Sequence, residues 1–206
     1  LISKRMIASS VEIKDCHLKI SDENGNEIVS WITGDISSVK LNEKIDEMGY
    51  DNVRVENGDG YAVKIYGLLH DREYTLTETK PADGFATAND ITFKLVESDD
   101  ENAKTKVLVK NGDSFTENVD NQVIMYDDTT KIEFSKTDIT NGKELPGCHM
   151  QVTEKNTGKV MDEWVSSRQS HVIEGKYAVG KTYILTETKH SYETYHDVKY
   201  TDDFVL

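Results

Sequence analysis

Tyr74-Thr-Leu-Thr-Glu-Thr-Lys80 occurs a second time in this chain, as Tyr183-Ile-Leu-Thr-Glu-Thr-Lys189. Both stretches alternate aromatic or branched residues with threonines, the period-two pattern of a β-strand. An internal repeat decides the architecture before any single motif does. The repeat extends outward on the N-terminal side. One constant shift, without a gap, carries Ser3, Lys4, Ile7, Glu12, Cys16, His17 and Asn24 onto Ser135, Lys136, Ile139, Glu144, Cys148, His149 and Asn156. A one-residue slip then brings Trp31 onto Trp164. The strand motif obeys a smaller shift, which places an insertion in the first copy at about residues 35–61.

The spacing predicts two domains, 1–128 and 129–206, with almost no linker at Asp128 and Thr129. A chain of 206 residues suits two modules of about 100 residues each. Further alternating segments are Cys16-His-Leu-Lys-Ile20, Ala62-Val-Lys-Ile-Tyr66, Ile91-Thr-Phe-Lys-Leu95, Lys106-Val-Leu-Val109, Gln122-Val-Ile-Met-Tyr126, Ile132-Glu-Phe134 and His149-Met-Gln-Val152. Asn-Gly and Thr-Gly pairs at Asn24, Asn111, Asn141 and Thr157 mark turns. Many short strands at this spacing favour an antiparallel β-sandwich. Inside the insertion, Leu41, Ile45 and Met48 recur at helical spacing, which predicts a short helix packed on the sandwich.

Composition narrows the function. The net charge is −14, from 38 acidic against 24 basic residues. Such a surface repels phosphate backbones and anionic bilayers, so neither nucleic acid nor membrane is an expected partner. Two cysteines are too few for a secreted disulfide scaffold. Cys16-His17 and Cys148-His149 do not read as metal sites, because neighbours on a strand face opposite sides. The cysteines read as buried free thiols, and no metal or cofactor is expected. His70, His171, His190 and His196 show no nucleophile arrangement with Ser or Cys, so no turnover chemistry is expected. The opening residues carry no signal-peptide pattern and no apolar run has membrane-helix length. The chain therefore reads as a segment of a longer protein, with any export signal or anchor outside it.

Phe134-Ser-Lys-Thr-Asp138, Glu144-Leu-Pro-Gly-Cys-His-Met-Gln-Val152 and Leu185-Thr-Glu-Thr188 together resemble the SpaA/Cna-B family of pilin shafts and adhesin stalks on Gram-positive bacteria. Tyr74-Thr-Leu-Thr-Glu-Thr-Lys-Pro-Ala-Asp-Gly-Phe85 is similar to the family's most recognisable stretch, and Gln122-Val-Ile-Met-Tyr-Asp127 resembles its last strand. The resemblance implies an all-β fold: two tandem transthyretin-like, inverse-immunoglobulin sandwiches, the second lacking its last strand. It also implies an intramolecular isopeptide bond between a first-strand Lys and a last-strand Asp or Asn, assisted by a buried acid. By position these are Lys4, Glu78 and Asp127 in the first copy, with Asp128 the adjacent rival acceptor. In the second they are Lys136 and Glu187, with no acceptor in the chain.

Chemistry makes that trio reasonable. Desolvation disfavours charge, moving a buried lysine toward a pKa of roughly 5–6 and a buried carboxyl toward about 8–9. Burial then offers a free amine on Lys4 and a neutral acid on Asp127, with Glu78 shuttling protons. Folding supplies effective molarities on the order of 10⁵ M. The expected role is a structural stalk segment of a cell-wall-anchored, extracellular surface protein, with neighbouring domains of the same protein as partners. The alternative is an adhesin module gripping a host or matrix ligand through the first-copy insertion. The open second copy adds a third expected partner, a donated strand.

Overall fold

The computed structural model describes residues 1–100, 103–190 and 201–206. Two compact units emerge: Leu1–Ala82 with Ala86–Asp128, and Asp83–Phe85 with Thr129–Leu206. The first contains β1 (Ile2–Met6), β2 (His17–Ser21), β3 (Glu27–Ile32), β4 (Asp35–Leu41), β5 (Arg54–Asn57), β6 (Val63–Tyr66), β7 (Glu73–Lys80), β8 (Ile91–Asp100), β9 (Ala103–Asn111), β10 (Ser114–Glu117) and β11 (Val123–Asp127). The second contains β12 (Lys131–Phe134), β13 (His149–Glu154), β14 (Val160–Val165), β15 (His171–Glu174), β16 (Thr182–Lys189) and β17 (Thr201–Val205). The fold is all-β, with strands where alternation predicted them.

In the first unit a four-stranded sheet, β11-β1-β6-β5, faces a seven-stranded one, β10-β9-β8-β7-β2-β3-β4. Alternation sends Leu18 and Ile20 of β2, Tyr74 and Leu76 of β7, and Val123 and Met125 of β11 inward, where they pack with Ile28, Val29, Trp31 and Phe93. Burying each such side chain contributes about 1.5–3 kcal/mol. One pairing departs from the antiparallel rule: β1 and β11 run parallel, with Lys4 opposite Met125 and Met6 opposite Asp127.

The second unit repeats this plan in reduced form, with sheets β12-β15 and β14-β13-β16-β17. Its core gathers Val152, Ile173, Tyr177 and Tyr183, with Phe134, Trp164 and Phe204 packed against them. Tyr183 pairs with Phe204 across β16 and β17, as Tyr74 pairs with Phe93 across β7 and β8. Strand β17 therefore holds the place of β8. Among the described residues, no strand of the second unit pairs with β12 as β11 pairs with β1.

The helix predicted around Leu41–Met48 does not form. Leu41 ends β4, and the following residues make successive turns, with Met48 N donating to Lys44 O at 3.1 Å and Tyr50 N to Ile45 O at 3.0 Å. The segment is too short to repay helix nucleation, and Gly49 at φ +81° ends it. Ile45 and Met48 still pack against the core, so their spacing reports burial and not a helix.

Candidate functional site

Strand β7 carries its apolar alternation one step too far for an ordinary core: after Tyr74 and Leu76 the next inward residue is Glu78, which is 4% exposed. A register shift aims it. His17 pairs with Lys80 but Leu18 pairs with Glu78, leaving Thr79 as the extra residue of a bulge. The Thr79 hydroxyl closes the bulge by donating to the His17 carbonyl at 3.2 Å. Bulges of this kind re-aim a side chain beside a site. The second unit repeats it: His149 pairs with Lys189, Met150 with Glu187, and Thr188 Oγ1 donates to His149 O at 3.2 Å.

Lys4 from β1 and Asp127 from β11 complete the first cluster. Lys4 Nζ lies 3.1 Å from Glu78 Oε1 and donates a hydrogen bond to Asp127 Oδ1. All three side chains are fully excluded from solvent. Glu78 Oε2 accepts from the Ala88 amide at 2.8 Å. Glu78 Oε1 and Asp127 Oδ2 receive no hydrogen bond among the described residues. Asp128, the rival acceptor, is exposed, as alternation after an inward Asp127 requires.

Two carboxylates and one ammonium would leave a net negative charge in an apolar interior, which is costly. A bound proton relieves it. Burial, above all, raises Asp127 to about 6; the hydrogen bond and charge of Lys4 oppose the rise, and Glu78 adds to it. Burial thus favours a proton on Asp127 more than in water, beside the Lys4 side chain and the Glu78 carboxyl. Cys16 Sγ joins Glu78 and Asp127, the three donor groups lying within 4.8 Å of one another. That set would suit a metal ion, but the Lys4 amine already sits among the two carboxylates as their cation. Burial pushes the Cys16 thiol up to about 12, so it stays neutral.

The second unit assembles half of this arrangement. Lys136 Nζ lies 3.0 Å from Glu187 Oε2, with the lysine side chain 26% and the glutamate 2% exposed. His190 Nδ1 lies 2.8 Å from Glu187 Oε1. Burial pushes Glu187 upward, but hydrogen bonds from Lys136, Cys148 and His190 outweigh it and hold the carboxyl below its ordinary value. A groove of about 230 Å³ opens here, lined by Ser135, Lys136, Thr137, Met150, Leu185, Glu187 and Asp202.

Structure therefore brings together Lys4, Glu78 and Asp127, and separately Lys136 and Glu187. Sequence reasoning missed the Ala88 amide and, having set His190 aside as lacking a nucleophile, missed its contact with Glu187. The amide has no side-chain signal. His190 directly follows the repeated Thr-Glu-Thr-Lys motif, which was the available clue. His196 lies outside the described residues.

Residues 130–201 match the family model described as SpaA, prealbumin-like fold domain. No curated protein matches the chain. Among solved structures, the Bacillus anthracis TIE protein is similar at 18% identity and a TM-score of 0.42, over 99% of this chain and 30% of that one. This chain thus spans 30% of that protein's length. An iodide-soaked C-terminal fragment of the pilus adhesin SpaC from Lactobacillus rhamnosus GG is similar at 12% identity and a TM-score of 0.43, covering 100% of this chain and 81% of the fragment. The shaft pilin SpaA of the same organism is similar at 11% and 0.35, over 99% of this chain and 91% of that one.

Proposed function

From a chain that carries a SpaA prealbumin-like domain at residues 130–201, we propose a structural role: a stalk segment of an extracellular bacterial surface protein whose first unit ties itself with a Lys4–Asp127 amide. The observation that carries this reading is the enclosure of Lys4, Glu78 and Asp127 together, none with solvent-exposed side-chain surface. The reaction needs only these groups. The free amine of Lys4 attacks Cγ of the neutral Asp127 carboxyl, forming the C–N bond. The C–OH bond breaks, and the hydroxyl leaves as water with a proton relayed through Glu78 from the amine. It happens once per molecule, as a maturation step.

The mechanical benefit follows from topology. Strands β1 and β11, the first and last of the first unit in chain order, lie side by side and parallel. A covalent tie between them lets tension bypass the sandwich. It also closes a loop between residues 123 apart, worth about 5 kcal/mol against the unfolded chain. Intact-mass measurement under denaturing conditions tests the proposal. The expected mass is the sequence mass less one water, with a cross-linked Lys4–Asp127 peptide after digestion. A full sequence mass overturns it.

Lys136 and Glu187 are proposed as the matching half-site, whose groove takes an incoming strand bearing the acceptor. An adhesin role remains attached to the insertion, whose Ser38 and Lys40 line a depression of about 340 Å³ with His17, Lys19 and Trp31.

A further inference from the structure

The assisting glutamate is held in the same way in both units, by different donors. Glu78 Oε2 accepts from the Ala88 amide at 2.8 Å, and Glu78 Oε1 faces Lys4 Nζ at 3.1 Å. Glu187 Oε1 contacts His190 Nδ1 at 2.8 Å, and Glu187 Oε2 faces Lys136 Nζ at 3.0 Å. The two lysine-facing oxygens, Glu78 Oε1 and Glu187 Oε2, are both buried, and neither receives a hydrogen bond from any other group among the described residues. Each carboxyl is thus divided into one oxygen held by a donor and one left to the lysine. The Ala88 amide is itself fixed. Ala88 packs against the core, and two residues earlier the Ala86 amide donates to the Asp128 carbonyl at 2.9 Å. One short segment therefore grips both the glutamate and the residue that follows Asp127.

Resting on the amide reading above, we propose that Ala88, through its backbone amide, and His190 are positioning residues: each occupies one oxygen of its glutamate and leaves the other to the lysine. The terminal torsion of a glutamate is broad and roughly two-fold, so an unheld carboxyl turns through many orientations. A donor on one oxygen removes that freedom. In the first unit, Glu78 Oε1 then takes the proton that the Lys4 nitrogen sheds as the C–N bond forms, and returns it to the hydroxyl that leaves as water. Glu78 ends as it began. In the second unit an ionised Glu187 only accepts hydrogen bonds, so His190 carries a proton on Nδ1 in this contact.

Two measurements on the full chain test the proposal. In the first unit, cell-free synthesis places lactic acid at the Ala88 position, which replaces the N–H by oxygen and keeps the methyl group. Ala88→Gly does the reverse. Water loss is timed by intact mass at a series of pH values. The ester chain slows by roughly ten- to a hundredfold, with a displaced pH profile, while Ala88→Gly follows wild type. An ester chain on the wild-type profile, or an Ala88→Gly chain slowed as far as the ester chain, overturns the proposal. In the second unit, glutamate carboxyls carry ¹³C, and the Glu187 resonance is assigned by its loss in Glu187→Gln. His190→Ala raises the Glu187 midpoint, because a hydrogen bond to the charged form is gone. His190→Asn, which keeps a donor near the Nδ1 position, recovers much of the difference. A His190→Ala midpoint equal to wild type overturns the proposal. So does a His190→Asn midpoint equal to that of His190→Ala, which assigns the effect to charge alone. If wild type itself loses no water, the amide reading falls, and the Glu187 titration alone decides whether the glutamate is held.

Discussion

Lys4 and Asp127, separated by 123 positions in the chain, meet in an ion pair inside the first unit with neither side chain touching solvent. The parallel register produces the meeting: Asp127 lies opposite Met6, two residues beyond Lys4, so both side chains point into the same interior. Glu78 reaches them from the facing sheet. Most of what can be tested about this protein depends on that convergence.

Asp127→Ala removes both the pair and the proposed tie. The variant is expected at full sequence mass, with the melting temperature of the first unit lowered by roughly 15 °C, as expected for losing a tie of about 5 kcal/mol. Mass spectrometry and calorimetry on the same sample read both effects. An unchanged melting temperature contradicts the structural importance of the pair.

Glu78→Gln is expected to leave amine and acid unjoined and so to expose the titration of Asp127. Burial raises that carboxyl from 3.8 to about 6. A raised carboxyl binds its proton more tightly folded than unfolded. Its stabilising contribution is therefore complete below pH 3.8 and disappears as pH rises through the folded value, which in this variant lies below the value of about 6 set with Glu78 in place, because Glu78 adds to the rise and burial alone remains to cause it. Urea melts across that window should show the midpoint falling with pH.

The second unit should respond in the opposite sense. Burial pushes Asp162 upward, but hydrogen bonds from His171 at 3.0 Å and Lys176 at 3.2 Å prevail and hold it below its ordinary value. Glu187 is likewise held low. Lowered carboxyls stabilise above their unfolded values, and that stability is lost as pH falls through the folded ones. Trp164 stacks on His171 at 4.3 Å, so its fluorescence follows the acid transition. Asp162→Asn should flatten that transition.

Amine-directed labelling of the folded chain should modify Lys136 and spare Lys4. Lys136 has 26% of its side chain exposed and Lys4 none. Peptide mapping after brief reductive methylation gives the ratio, and equal labelling would contradict the enclosure of Lys4.

Tyr74→Phe should cost about 1–3 kcal/mol. The Tyr74 hydroxyl accepts from Leu69 N at 2.8 Å and donates to Leu69 O at 3.1 Å, and phenylalanine leaves both backbone groups without that partner. Tyr183→Phe should act similarly, since Tyr183 accepts from Ala178 N at 2.8 Å. Water loss should persist in Tyr74→Phe, which separates stability from maturation.

Strand positions, the repeat and the identities of the clustered residues were legible in the chain, because alternation and recurrence are local properties. Alternation said only that one of Asp127 and Asp128 could face inward; the likeness to the family's last strand favoured Asp127. The helix expected near Met48 was misread because apolar spacing reports which residues are buried and does not by itself set backbone hydrogen bonding. His190 was weighed only as a partner for a nucleophile and set aside, because its contact with Glu187 arises from how the chain leaves β16.

The sequence by itself determined that the chain is built of strands in two related copies, with a lysine and a glutamate kept at matching places, since hydrophobic periodicity and repetition need no third dimension. Only the tertiary structure decided that Lys4, Glu78 and Asp127 share one dry enclosure while Lys136 stays partly in water. Proton affinity and reactivity depend on what surrounds a group after distant strands have paired, and no local stretch of sequence contains that information.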